Sequence, residues 1–134
     1  MTTPLPLESD RIYLSDGGLE TTLIFHDGLE LPHFAAFDLL KDSAGRTTLR
    51  KYYRRYVDLA VKARCGFILE SPTWRASRDW GIELGYDADQ IAAINHDAIE
   101  IMESIRREYE GTNVAMTVSG NVGPRGDGYV AGAR

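Results

Sequence analysis

Three places in the sequence put polar chemistry directly after an apolar run. Asp16 follows the run Ile12–Ser15 and precedes the glycine pair Gly17-Gly18, in the stretch DGGLE. Glu70 follows Phe67-Ile68-Leu69 and opens the segment ESPTWRAS. Ser119 follows Val114–Val118 and opens SGNVGPRGDG, which contains Asn121. A carboxylate at such a position can hold an ammonium group: at ~4 Å and an effective dielectric of ~20 the gross attraction is about 4 kcal/mol, before desolvation is subtracted. Two plainer readings stand beside this one. Asp is a good N-cap for a turn starting near Leu19. Glu70 is a carboxylate that Arg75 or Arg78 could neutralise in a structural ion pair, because buried carboxylates are rare unless paired. Thr73 and Trp74, just beyond Glu70, suit the wall of a small-ligand pocket.

The surrounding pattern says how these places come together. Ile12–Ser15, Phe67–Leu69 and Val114–Val118 read as short strands, separated by about fifty residues, which is room for helical crossovers. Thr47–Arg64 carries Leu49, Tyr52, Tyr53, Tyr56, Leu59, Ala60 and Ala63 at helical spacing, with Gly66 as its stop. Ala88–Glu110 carries a second stripe, from Ile91 to Tyr109, with a capping box from Asp87 and Gln90 and a stop at Gly111. The order strand, helix, strand, helix, strand predicts a parallel sheet with right-handed crossovers, buried on both faces. Ligands gather at the carboxyl ends of such strands, so the three polar places fall on one rim. Cys65 precedes a strand and falls on the opposite rim, as a packing residue. A parallel sheet of three strands leaves bare outer strands, which suggests a C-terminal part beyond this chain.

Composition narrows the function classes. The 134 residues are 43% hydrophobic and 26% charged, the balance of one globular domain spanning 1–134. A net charge of −5 argues against general nucleic-acid binding, which needs a basic footprint. The first helix is the local exception: from Arg46 to Arg64 seven cations face Asp58 alone, a net charge of +6. Its tyrosines share the inner-face spacing, so the cations read as a solvated outer face rather than an RNA-binding stripe. A single cysteine permits no internal disulfide and fits a reducing cytoplasm. No apolar stretch approaches the ~18 residues of a membrane span, and MTTPLPLESD lacks the basic and apolar regions of a signal peptide. His26, His33 and His96 show no ligand spacing, and no metal site is expected from this chain. Gly120, Gly123, Gly126 and Gly128 resemble a phosphate-binding loop in composition, but their spacing fits neither the dinucleotide nor the Walker pattern.

LSDGGLETTL, LESPTWRAS and SGNVGPRGDGY, in this order, resemble the successive motifs of the homocysteine S-methyltransferase family. LPHFAAFDLL and LRKYYRRYVDLA fall where that family has its first loop and first helix. The resemblance covers nearly all of the chain. It implies an α/β fold of the (β/α)8 TIM-barrel type, and since such a barrel needs about 250 residues, this chain would hold the first three parallel strands with their crossover helices. It implies methyl transfer to the thiol of L-homocysteine, giving methionine. Zinc is the implied cofactor, held by cysteines of later strands that include a Gly-Cys-Cys stretch absent from this chain, so the fragment alone would be inactive. Carried over by position, the resemblance makes Asp16, Gly17, Glu70, Thr73 and Asn121 substrate-binding residues and puts Trp74 and Arg75 beside the methyl donor. Arg75 stands where some relatives have an aromatic or amide residue, which leaves S-methylmethionine, S-adenosylmethionine and betaine open as donors. The alternative, from a different class, is a small α/β ligand-binding or interaction module without catalysis.

Overall fold

A computed structural model describes residues 4–132. Three short strands set the frame: β1 (Tyr13–Ser15), β2 (Gly66–Glu70) and β3 (Met116–Ser119), all parallel and hydrogen-bonded in the order β1-β2-β3. Leu14 pairs with Phe67 and Phe67 with Met116, so these three share one face, joined two residues further on by Leu69 and Val118. That face is the core, where Phe67 and Leu69 are fully buried. The other face carries Ser15 and Glu70, both exposed, and Ile68 and Thr117, both half-buried. Burial on both faces therefore holds for one face only. In a closed barrel the second face is filled by side chains from other strands, and three strands bring only their own.

Two long helices, α2 (Ser43–Ala63) and α4 (Ala88–Glu108), cover the buried face. Two short ones, α1 (Leu19–Thr21) and α3 (Arg78–Glu83), follow β1 and β2. Helix α2 begins earlier than its apolar spacing predicts because Asp42 caps it, accepting from the Gly45 amide at 2.7 Å. It ends on Arg64 in the left-handed conformation, φ +55°, and not on Gly66. Gly66 is instead needed within β2, where a Cβ would run into the Tyr13 ring. Leu49, Tyr52, Tyr53, Val57 and Ala60 are fully buried along α2, while Leu59, at the margin of that stripe, is exposed. The capping box of α4 is present in both directions, between Asp87 and Gln90. Helix α3 has no counterpart in the sequence reading; it is started by Ser77, whose side chain accepts from the Trp80 amide.

Outside the core, the cations of α2 meet the acids of α4. Arg46 pairs with Asp97 at 2.7 Å and Arg54 with Glu108 at 2.9 Å. Part of the +6 stripe is thus neutralised within the fold. No helix among the described residues is long and apolar enough to cross a membrane.

Gly45 shows how closely the chain before α2 packs on its first turn. A Cβ there would run into the Leu39 backbone carbonyl, which cannot swing aside as a side chain could. Gly45→Ala is therefore expected to lower stability by about 2 kcal/mol, in spite of alanine's better helix propensity. The check is a lower urea midpoint with an unchanged slope.

Candidate functional site

The carboxyl ends of the strands converge on one cavity of about 190 Å³. Asp16 comes from the end of β1, Glu70 from the end of β2 and Asn121 from the loop after β3; Glu20, Tyr53 and Trp74 complete its polar and aromatic wall. No lysine, arginine or histidine among the described residues lines it.

Asp16 is not a helix cap. The residue before α1 is Gly18, held at φ +44° with no side-chain cap bond, which is the reason for a glycine at that place. The Asp16 carboxylate instead accepts from the Tyr52 hydroxyl at 2.9 Å. The same hydroxyl lies 2.7 Å from the Gly17 carbonyl, to which Tyr56 also donates at 3.2 Å. Gly17 thus serves through its backbone oxygen, as an anchor for α2, and does not line the cavity.

Glu70 is exposed and forms no ion pair with Arg75 or Arg78 among the described residues. Its backbone carbonyl accepts from the buried Tyr53 hydroxyl at 2.7 Å. Thr73 also stands behind the wall. Its hydroxyl donates to the Asn121 carbonyl at 2.7 Å and lies 2.8 Å from the Ser71 hydroxyl, which accepts from the Asn121 amide at 3.0 Å. This closed ring ties the loop after β2 to the loop after β3. It also engages the amide of Asn121, so that amide is not free to bind a ligand.

Trp74 and Arg75 line different cavities, although the guanidinium carbon lies 4.8 Å from the Trp74 ring centre. Trp74 lines the acidic cavity, whereas Arg75 lines a wider neighbouring one with Phe34, Trp80 and Tyr129. In the glycine-rich loop, a Cβ at Gly123 would run into the Trp74 carbonyl. Close packing of two loops, rather than a phosphate, accounts for that glycine.

Glu20 escaped the sequence reading, although it ends the DGGLE stretch. The left-handed turn at Gly18 brings it back to the rim, and a second carboxylate four residues after Asp16 was the available signal. Burial pushes the Asp16 carboxyl above its ordinary range; the Tyr52 hydrogen bond opposes this and the Glu70 charge adds to it. Glu20 is raised as well, first by burial, with the Asp16 and Glu70 charges adding and a backbone hydrogen bond and Arg75 opposing. Burial carries the phenols of Tyr52 and Tyr53 far above their usual range, so both remain neutral donors. Together these groups make a cation-seeking wall with hydrogen-bond supports behind it.

The zinc implied by the resemblance does not fit these residues. Among those described, no three His, Cys, Asp or Glu are arranged to hold a metal. Cys65, the one cysteine, lies just before β2, at the other end of the strand from Glu70.

Sequential parallel strands, helices packed on one face and a polar cavity at the carboxyl ends define part of a (β/α)8 barrel. The sequence profile described as homocysteine S-methyltransferase matches residues 13–133, and the chain belongs to that family. No curated protein matches it. Among solved structures, the metallated form of the homocysteine methyltransferase MmuM from Escherichia coli is similar at a TM-score of 0.62 and 20% identity. The match covers 88% of this chain and 39% of that one, and at such identity it speaks for the fold.

The raised carboxyl of Asp16 has a consequence for stability. Such a group carries no penalty below its unfolded value of 3.8; the penalty grows as pH rises through the folded value and persists above it. Asp16→Asn, which keeps an oxygen for Tyr52, is expected to exceed the wild type in stability at pH 7. The two should match near pH ~3. Denaturant unfolding at both pH values checks this, and an equal gap at the two would contradict it.

Proposed function

We propose that this chain forms the amino-acid-binding part of an S-methyltransferase that moves a methyl group onto the thiol of L-homocysteine, giving methionine. The observation that carries the reading is the cavity at the strand ends of a family member, walled by Asp16, Glu20 and Glu70 with no cationic side chain among the described residues. The acids favour the ammonium end of the substrate. They disfavour a thiolate and a carboxylate, so the amino group is the part that faces Asp16, with the sulfur turned away. Glu70 and Asn121 flank the same space, while Gly17 and Thr73 hold its wall.

In the transfer, the homocysteine sulfur attacks the methyl carbon, the bond from that carbon to the donor's heteroatom breaks, and the electron pair leaves with the donor. Attack needs a thiolate, and a free thiol has a pKa of ~8.5. Among the described residues no three His, Cys, Asp or Glu are arranged to hold a metal that would lower it. We assign them binding and orientation only, and expect the 134-residue chain alone not to turn over. Trp74 lines the cavity wall, which supports assigning it to the methyl donor. S-methylmethionine, S-adenosylmethionine and betaine all bring a positive centre, which an aromatic face and an acidic wall both suit. A reducing cytoplasm is the compartment proposed, on the single cysteine.

Titration calorimetry tests the binding role. Asp16→Ala is expected to weaken L-homocysteine about 10- to 100-fold, the range for a hydrogen bond to a charged group. The desamino analogue 4-mercaptobutyrate should bind wild type and variant alike. Unchanged L-homocysteine affinity in the variant would remove Asp16 from the site.

A further inference from the structure

Arg75 is 8% exposed, an unusual place for a guanidinium. Its surroundings come from all three strand-end loops. Nη1 donates to the His33 carbonyl, in the loop after β1, at 3.0 Å. Nη2 reaches Asp127, in the loop after β3, at 3.4 Å. The guanidinium carbon lies 3.9 Å from the ring centre of Trp80 and 4.8 Å from that of Trp74, both from the segment after β2. Only Nε is left without a partner among the described residues.

The three loops need such a tie. His33 and Phe34 both sit at positive φ, +53° and +59°, a conformation that costs an L-residue roughly 1–2 kcal/mol and persists where its surroundings hold it. Among the described residues, the loop after β3 has no regular structure beyond Ser119. It is pinned by the Trp80 indole, which donates to the Gly126 carbonyl at 2.8 Å, and by Tyr129, whose ring stands edge-on to Trp74 at 5.6 Å.

We propose that Arg75 is a positioning residue. Its guanidinium locks the loops after β1, β2 and β3 into one rim, and so fixes Trp74 and Asn121 at the acidic cavity without touching substrate. Lysine cannot replace it: an ammonium is a point charge and cannot fill the space between two indoles while donating to a carbonyl and a carboxylate in one plane. The role at the cavity rests on the homocysteine-binding reading; the lock itself does not.

The test uses the full chain with Arg75→Lys and Arg75→Gln, read by amide hydrogen exchange and by calorimetry with L-homocysteine. The lock predicts exchange about tenfold faster at Ala35 and at Val130 together, two sites far apart in sequence, with Phe67 in β2 unchanged. It also predicts affinity reduced about tenfold without rescue by lysine, at an unchanged urea slope. Unaltered exchange in either loop, or wild-type affinity in Arg75→Lys, overturns the proposal. Should both variants fail to fold, Asp127→Asn, which keeps an oxygen for the Tyr129 amide but removes the charge facing Arg75, is read at Ala35 in the loop after β1, where faster exchange supports the lock and no change overturns it. A wild-type chain that binds no L-homocysteine sinks the functional reading, while exchange still decides the lock.

Discussion

Two adjacent tyrosines on α2 hold the site together. Tyr52 reaches the end of β1 through Asp16 and Gly17, and Tyr53 reaches the end of β2 through the Glu70 carbonyl. Both rings are fully buried and meet edge to face with centroids 5.2 Å apart. Neighbouring positions on a helix diverge by about 100°, so two consecutive side chains can serve two different strand ends. A buried hydroxyl without a partner costs roughly 1–3 kcal/mol. These hydroxyls therefore fix where the strand ends stand as strictly as the apolar core fixes where the strands lie.

The electrostatics of the rim follow from that packing. Asp16 and Glu20 are partly removed from water, and each feels the charge of Glu70 in addition to burial. A fold built for stability alone would separate these groups or pair them. Here Arg75, the cation that tempers Glu20, lines the neighbouring cavity, so the acidic wall has no cationic side chain of its own among the described residues. Conflict between local charge and folding is the usual mark of a binding site.

Much of this was legible in the residues. The three apolar runs, their parallel order, the capping box at Asp87 and Gln90 and the convergence of Asp16, Glu70 and Asn121 follow from periodicity and from the rule that parallel strands present their carboxyl ends together. What escaped depended on partners distant in sequence. Glu20 reaches the rim only because Gly18 turns left-handed. Thr73 and the Asn121 amide close a ring with Ser71 across fifty residues. Arg75 reads locally as an ion-pair partner for Glu70, and only the fold shows His33 and Asp127 around it. Helix α3, at Arg78–Glu83, is too short for a periodic signal, and Arg64 ends α2 where the eye looks for glycine.

The outer seam behaves differently from this rim. Arg46–Asp97 and Arg54–Glu108 join α2 to α4 where water and dissolved ions reach them, with about two fifths of each arginine side chain exposed. At physiological ionic strength such attractions are screened beyond ~8 Å, and exposed pairs contribute ~1 kcal/mol or less. The Tyr52 and Tyr53 hydrogen bonds are short, neutral at the donor and made by fully buried rings. Ionic strength thus becomes a selective lever on this molecule, loosening the grip between its two long helices while leaving the geometry of the strand ends in place.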